Sequence, residues 1–235
     1  MKIHFQLFVM SLLILAPNLA DGQESIITFH SGYNDPTMEG FSLMLASASV
    51  GAVTNDLGFD AWTTAVPANG LYAFYREALT SQQTAQLSGQ NWTLSLTLRV
   101  AAVDPNERSS VIFGSGSHEY DIFFGAQSNG DPIVSVGNIS YTLNGAGSSY
   151  NDYQLIYNAA SDTADLYVNG IDRISNVTHT TYSGLGVLDF GSGQQAGPAQ
   201  VNWNLISLSI PEPTAAALLL FGGGTLFYFR RKYRS

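Results

Sequence analysis

The chain has 235 residues and no cysteine, and it carries 18 acidic against 9 basic side chains, for a formal net charge of −9. The lack of cysteine excludes a disulfide framework, a thiolate metal site and a cysteine nucleophile. Between residues 23 and 210 the basic side chains are four arginines and no lysine, so this part has no basic surface and argues against nucleic-acid binding.

The first 22 residues have the layout of a secretory signal peptide. Lys2 precedes a mostly apolar stretch, residues 3–15, that contains no Asp, Glu, Lys or Arg, and the small residues Ala20 and Gly22 follow. These two residues occupy the positions that a signal peptidase reads. We expect cleavage after Gly22, with cleavage after Ala20 or an uncleaved anchor as the alternatives.

Residues 23–210 are long enough for one domain with a substantial core. Alternation of apolar and polar residues, interrupted by Gly, Asn, Asp and Ser, predicts short strands throughout this part. Residues 25–30 are predicted as an edge strand, and residues 31–70 as loops with one or two strands. Residues 81–87 are predicted as a short helix, and the regular alternation over 92–100 gives the clearest strand.

The second half predicts hairpins. Strands at 111–114, 120–125, 133–136 and 139–143 have the spacing of an antiparallel meander, and strands at 153–157 and 164–168 form a further hairpin. Asn169-Gly170 predicts a type I′ turn, because both of its positions need positive φ, and residues 171–173 should return beside 166–168. The last strands are predicted at 187–190 and 201–210.

Many short strands in one domain predict an all-β fold, a two-sheet antiparallel sandwich. The alternating residues 150–157, the strand leading into Asn169-Gly170 and the final strand with Trp203-Asn204-Leu205 resemble laminin-G-like, concanavalin A-like jelly rolls. That superfamily contains lectins, glycosidases and adhesive modules. The resemblance therefore implies a jelly roll and ligands of the glycan or matrix type.

The C-terminal residues 211–235 combine three features. Pro211-Glu212-Pro213 ends the last strand, because proline lacks an amide donor, and an uncharged apolar segment at 214–229 precedes the basic end that begins with Arg230-Arg231. About 15 apolar residues reach roughly 23 Å as a helix, so the basic side chains must snorkel for the segment to span a ~30 Å hydrocarbon core. We predict a transmembrane helix with its basic end in the cytoplasm. A buried core helix is the alternative.

The order of these features resembles the PEP-CTERM sorting tail of exported proteins in Gram-negative, exopolysaccharide-producing bacteria. Pro211-Glu212-Pro213, the glycine-containing apolar segment and Arg230-Arg231 match that pattern. The resemblance implies an exosortase-type protease as a processing partner, in addition to the signal peptidase that residues 1–22 predict. It also implies an inner-membrane intermediate that is transferred to the cell surface or extracellular matrix, and a tail without a catalytic role.

Glu119 and Asp121 are the candidate catalytic carboxylates. They alternate along a predicted strand and should face the same side of the sheet. In laminarinase-like enzymes a Glu-x-Asp-x-Glu pattern has a third carboxylate at the position that Phe123 occupies here. A glycosidase with Glu119 as nucleophile would therefore need an acid from another loop. We expect no catalysis and keep hydrolysis as the alternative.

Other candidate ligands are scattered in the sequence. His30, His118 and His179 lack zinc-binding spacing, and His30 and His179 are expected at the surface. Candidates for a calcium ion are Asp121, Asp165 and Asp189, without a contiguous acidic loop. Aromatic residues that could form a glycan platform are Trp62, Tyr72, Tyr75, Tyr141, Tyr150 and Tyr182, whereas Trp92 and Trp203 are expected in the core.

The sequence therefore predicts an exported envelope or extracellular-matrix protein, sorted through its tail, that binds or organises extracellular polysaccharide without catalysis. Two alternatives stay open. One is a glycoside hydrolase that acts on matrix polysaccharide, and the other is a purely structural surface or adhesion protein.

Overall fold

The computed structural model describes residues 24–68, 70–102, 109–181, 184, 186–193 and 198–211. The predicted signal peptide and the sorting tail beyond Pro211 lie outside these residues. Within the described ranges, no helix combines the length and the apolarity that crossing a membrane requires.

Two eight-stranded antiparallel sheets form a sandwich within residues 26–210, which cluster as one unit. The first sheet contains, in spatial order, β13 (Ile171–Val177), β12 (Thr163–Val168), β11 (Asn151–Asn158), β6 (Trp92–Val100), β16 (Ala199–Pro211), β4 (Phe59–Val66) and β3 (Ser49–Asp56), with β1 (Glu24–Ser31) paired to β16. The second contains β10 (Ile139–Thr142), β9 (Pro132–Val136), β8 (His118–Ala126), β7 (Ser109–Ser115), β15 (Val187–Gly193), β5 (Tyr72–Ala78) and β2 (Ser42–Ala46), with β14 (Thr180–Thr181) paired to β8. The predicted two-sheet sandwich is confirmed.

The core lies between the two sheets and is rich in aromatic side chains. Along β6 every second side chain from Trp92 to Val100 is buried, which confirms the clearest predicted strand. Trp203 on β16 is fully buried and packs edge-on against Phe124 of the opposite sheet, with ring centroids 6.1 Å apart. The prediction that Trp92 and Trp203 belong to the core is confirmed, since these side chains join the inner faces of the two sheets.

The predicted hairpins are also present. β7, β8, β9 and β10 are successive antiparallel neighbours, and β11 pairs with β12. At the next turn Asn169 has φ 51° and Gly170 has φ 75°, and Val168 pairs with Ile171. Positive φ at both central residues is the requirement of a type I′ turn.

Residues 31–70 differ from the prediction, because they form three strands, β2, β3 and β4, rather than one or two. β2 and β3 lie at the ends of their sheets and bury few side chains, so their sequences lack clear alternation. A 3₁₀ helix, Pro36–Glu39, precedes β2. The predicted short helix is confirmed as α1 (Ser81–Leu87), and Thr80 and Gln83 form a capping box at its N-terminus.

Candidate functional site

The outer face of β8 carries the two carboxylates that the sequence singled out. Tyr120 and Ile122 are buried between the sheets, whereas Glu119, Asp121 and Phe123 alternate with them and are partly exposed. The two carboxylates therefore share one face, as their spacing predicts. Their role stays a prediction.

These carboxylates line a groove of about 480 Å³, which is within the size range of small-ligand sites. Its walls are β8, the turn that leads into β10, and the end of β13 with the segment that connects it to β14. Besides Glu119 and Asp121, the polar lining consists of amides and hydroxyls from Asn138, Asn176, Thr178 and Thr180, and the apolar lining includes Phe123, Val177 and Ile139. Carboxylates, amides and hydroxyls beside apolar surface are the groups that bind sugars.

The carboxylates of the groove are partly withdrawn from water. Burial raises the pKa of Asp121, and its Oδ1 is buried with no hydrogen-bond partner among the described residues. Burial and the nearby charge of Asp121 raise the pKa of Glu119. A buried acceptor without a partner is costly, so Asp121 is suited to receive a hydrogen bond from a ligand.

A third carboxylate, Asp189 on β15, lies in the same row of the second sheet. Asp121 and Asp189 pair with Ile112 from opposite sides, which separates their Cα atoms by two strand spacings, or about 10 Å. Arg76 Nε donates to Asp189 Oδ1 at 2.8 Å and to Oδ2 at 3.0 Å, and Arg76 Nη2 donates to the same carboxylate. The ion pair occupies both carboxylate oxygens, so Asp189 does not complete a pair of free carboxylates with Glu119.

The three calcium candidates do not converge. Asp121 and Asp189 lie on the second sheet, whereas Asp165 is on β12 of the first sheet. Asp165 Oδ1 accepts a hydrogen bond from the amide of Asn176 at 2.7 Å. The structure therefore does not assemble these residues into one site.

None of the candidate platform aromatics that the structure describes lines the groove. Tyr75 is fully buried, because β5 turns it to the inner face, and its hydroxyl accepts a hydrogen bond from Trp62 Nε1 at 2.8 Å. Tyr75 therefore packs in the core and cannot belong to a glycan platform. Tyr72 is 42% exposed, and Tyr141 lies under the guanidinium of Arg173. Tyr182 is outside the described residues.

Tyr150, the remaining aromatic candidate, belongs to a polar network on another part of the molecule. Its ring stacks on Phe59 with centroids 4.4 Å apart, and its hydroxyl donates to Asp56 Oδ2 at 3.0 Å. Asp56 also accepts from Arg99 Nη1 and, at 2.6 Å, from Asn202 Nδ2. Burial raises the pKa of Asp56, but these hydrogen bonds outweigh it and lower the pKa below its usual value.

One histidine lies elsewhere than the sequence predicts. His30 is fully buried on β1, where Nδ1 lies 2.6 Å from Glu39 Oε2 and Nε2 lies 3.2 Å from the carbonyl oxygen of Trp203. The expectation of a surface residue was wrong, because His30 faces the core and stacks on Phe190. Its ring nitrogens are satisfied internally.

His118 and His179 are brought together with Asp162. His118 Nε2 lies 3.0 Å from Asp162 Oδ1, and His179 Nε2 lies 3.3 Å from Asp162 Oδ2. The hydrogen bond from Tyr157 and then the contact with His179 lower the pKa of Asp162. The three residues come from separate segments, so no local spacing in the sequence could reveal the cluster.

A second cavity, of about 460 Å³, is lined by Ser, Ala, Val, Pro and Gln side chains from β3, β4 and β16 and their flanking turns. Its lining contains no charged residue. It therefore offers fewer groups for recognition than the β8 groove.

The fold defines the chain as an antiparallel β-sandwich of the jelly-roll type. No protein-family model matches the sequence, and no curated protein matches it. A carbohydrate esterase from the Shiga toxin-encoding bacteriophage phi24B is similar in structure over 80% of this chain and 100% of that chain, with a TM-score of 0.54 and 12% identity. Botulinum neurotoxin type C, whose cell entry depends on interaction with two ganglioside molecules, is similar over 89% of this chain and 53% of its own, with a TM-score of 0.51 and 8% identity.

A sialidase is also similar, over 77% of this chain and 19% of that chain, with a TM-score of 0.50 and 10% identity. The chain thus spans about half the length of the neurotoxin chain and about a fifth of the sialidase chain. At these identities the similarities establish the fold alone.

Proposed function

We propose that this protein is an exported, non-catalytic domain that binds extracellular polysaccharide in the groove on the outer face of β8. The observation that carries the proposal is the Asp121 carboxylate, which lines a ligand-sized groove. Its Oδ1 is buried and has no hydrogen-bond partner among the described residues. A sugar hydroxyl that donates to this oxygen would remove the cost of leaving it unpaired.

The rest of the groove suits a sugar as well. Asn138 and Asn176 carry amides that can both donate and accept, and Phe123 and Ile139 offer apolar surface for the C–H face of a pyranose ring. The proteins with a similar fold include a carbohydrate esterase and a neurotoxin that depends on gangliosides. Both are compatible with a carbohydrate ligand for this chain.

Charge indicates which polysaccharides fit. Glu119 and Asp121 make the groove acidic, and the chain as a whole has a net charge of −9. An anionic glycan would be repelled, because its carboxylates or sulfates would approach like charges. We therefore expect neutral glycans to bind in preference to anionic ones.

Affinity electrophoresis tests this proposal with gels that contain laminarin, xyloglucan or alginate. We expect a neutral glycan to retard the wild type, and Asp121→Ala to weaken that retardation at least about tenfold, or about 1.4 kcal/mol. Asp172→Asn is the charge-matched control, because Asp172 is exposed on β13 of the other sheet. The proposal fails if no neutral glycan retards the wild type, or if both variants behave alike. Failure to bind any glycan, combined with altered cell aggregation when the protein is deleted, would favour the purely structural role.

Export and sorting form a separate part of the proposal and depend on the terminal sequences. Residues 1–22 would be removed by signal peptidase, and the tail from Pro211 to Ser235 would hold the protein in the inner membrane until an exosortase-type protease cleaves it. Intact mass measured from cells with and without that protease tests this. Loss of Arg230 and Arg231 only when the protease is present supports sorting, whereas their retention in both strains indicates an ordinary membrane anchor.

Glycoside hydrolysis is the second candidate, and the shared groove of Glu119 and Asp121 favours it. Ile112, on the strand between them, separates Asp121 from Asp189, and Phe123 occupies the position of a third carboxylate on β8. The close pair of free carboxylates that a retaining glycosidase requires is therefore incomplete. Release of reducing ends from laminarin by the wild type, lost in Glu119→Gln or Asp121→Asn, would establish an enzyme. Binding without any release of reducing ends would establish a non-catalytic domain.

A further inference from the structure

Three segments that are distant in sequence meet at one end of the sandwich. His118 begins β8 of the second sheet, Asp162 lies in the turn between β11 and β12 of the first sheet, and His179 lies between β13 and β14. One potential ligand atom from each residue lies within 4.8 Å of the other two. This His-Asp-His cluster shares His179 with the β8 groove but includes neither of its carboxylates.

The hydrogen bonds of His179 define which of its nitrogens can bind a ligand. Nδ1 lies 3.1 Å from the carbonyl oxygen of Thr180, and since a carbonyl only accepts, Nδ1 carries the hydrogen. In the neutral imidazole, Nε2 then presents a lone pair to Asp162 Oδ2 at 3.3 Å. Two acceptors that face each other repel, and only an added proton or a cation between them removes that repulsion.

The same hydrogen bond is the outer-sphere contact of a metal-binding histidine, which usually donates its second ring nitrogen to a carbonyl or carboxylate. The Asp162 carboxylate is oriented in a comparable way, because the Tyr157 hydroxyl donates to Asp162 Oδ1 at 2.9 Å. Asp162 has φ 57°, a left-handed conformation that Asp and Asn adopt more readily than most residues. Both ligands are thus positioned by neighbouring groups.

The dimensions of the cluster fit a small divalent cation. Zinc binds imidazole nitrogen and carboxylate oxygen at about 2.0–2.2 Å, which requires ligand atoms roughly 3.3 Å apart in a tetrahedron. The contacts of 3.0 Å from His118 Nε2 to Asp162 Oδ1 and of 3.3 Å from His179 Nε2 to Asp162 Oδ2 are close to this value, and one ligand atom from each residue lies within 4.8 Å of the other two. The side chains of His118, His179 and Asp162 are 27%, 21% and 59% exposed, so an ion can enter and a water can provide the fourth ligand.

We infer that His118, Asp162 and His179 form a site for a divalent transition metal, with Zn²⁺ as the preferred ion. Two imidazoles and one carboxylate are a donor set for zinc. Calcium is disfavoured, because it takes six to eight oxygen ligands. The ion would connect the β11–β12 turn of the first sheet to β8 of the second sheet, so its binding stabilises the folded chain.

Calorimetry on the full-length chain tests this inference. The protein is purified in mild detergent without a histidine tag, stripped with EDTA, freed of the chelator and titrated with ZnCl₂. We expect one zinc per chain with a micromolar or lower Kd, visible d–d absorption typical of a four-coordinate site when CoCl₂ replaces zinc, and no heat with CaCl₂. Binding of calcium but not zinc would contradict the inference.

Variants separate a metal site from nonspecific binding. Asp162→Asn keeps an oxygen for the Tyr157 hydroxyl and a residue that tolerates positive φ, so the metal-free variant should fold. Its thermal midpoint should be at or slightly below that of the wild type, because the charged partner of the two histidines is lost. Its zinc affinity should fall at least about a hundredfold, and Tyr157→Phe should lower the affinity about tenfold by releasing the carboxylate. Asp172→Asn is the control and should bind zinc normally.

Thermal unfolding provides a second readout that does not depend on the heat of binding. Zinc should raise the midpoint of the wild type and of Asp172→Asn, and it should leave the midpoint of Asp162→Asn unchanged. Equal zinc stabilisation of all variants, or no zinc binding by the wild type, would overturn the inference.

Discussion

At the scale of single residues, two aspartates show how environment separates a structural carboxylate from a candidate binding carboxylate. Asp56 accepts hydrogen bonds from Arg99, Tyr150 and Asn202, which stabilise its charge. Asp121 has an oxygen that is buried without a partner in the part of the chain that the structure describes. The first carboxylate therefore supports the fold, whereas the second adds to its cost and is the candidate to bind a ligand.

Asp56→Asn should lower the free energy of unfolding by about 2 kcal/mol at pH 7, because it removes a charged acceptor from this network. The pKa of Asp56 is lowered in the folded state. Its contribution is therefore complete above the unfolded pKa of about 3.9 and is lost as the pH falls through the folded value. Urea denaturation at pH 7 and pH 3 measures the difference between wild type and variant. A difference that does not change with pH would show that the charge is unimportant.

Asp121→Asn should have the opposite effect at neutral pH. The folded-state pKa of Asp121 is raised by burial, so the charged form destabilises the fold, and this cost disappears as the pH falls through the raised value. We expect the variant to be more stable than the wild type at pH 7 and the gap to narrow toward pH 4. Guanidinium denaturation across this range measures it. A variant that is less stable at pH 7 would instead assign Asp121 to the scaffold.

At the scale of elements, the turn between β12 and β13 depends on the backbone conformation of its two central residues. Asn169 and Gly170 both have positive φ, and a Cβ added to Gly170 would meet no atom within 4 Å. Gly51, in the edge strand β3, is equally open but does not have positive φ. The two glycines therefore differ in conformation rather than in packing.

Gly170→Ala should lower the free energy of unfolding by about 1 kcal/mol, the cost of holding a side chain in the left-handed region. Gly51→Ala is the matched control and should be neutral or slightly stabilising. Thermal or urea unfolding of the two variants compares them directly. Equal effects at both positions would contradict the assignment of a type I′ turn.

The elements also show why some predictions succeeded. β6, β11 and β12 have one buried and one solvated face, so their alternation and the Asn-Gly turn were readable from the sequence. β2 and β3 lie at sheet ends and bury too little to impose a pattern. Local alternation predicts which residues form strands, but it does not predict which strands pair with one another in a sheet.

The site was less predictable than the fold for the same reason. The shared face of Glu119 and Asp121 follows from their spacing on one strand, whereas the ion pair of Asp189 with Arg76 depends on the pairing of β15 with β5. The meeting of His118, Asp162 and His179 depends on contacts between both sheets. Contacts between residues that are distant in the sequence cannot be predicted from the local pattern of residues.

At the scale of the whole molecule, the sandwich presents two sites of different chemistry near one end of β8. The groove carries carboxylates and amides suited to sugar hydroxyls, and the His-Asp-His cluster carries a donor set suited to a transition metal. His179 belongs to both, since it lines the groove and also contacts Asp162. We therefore expect zinc to alter glycan affinity modestly, which affinity electrophoresis with and without ZnCl₂ would detect.

The most direct test of the central claim is to map the bound glycan by the chemical shifts of the backbone amides. The isotope-labelled protein would be titrated with the oligosaccharide of the neutral glycan that retards it best. We predict that the largest changes fall on residues 119–123, 136–139 and 176–180, which line the groove. Changes centred instead on Phe59 and Tyr150, or on the small-residue cavity formed with β3 and β16, would contradict the account.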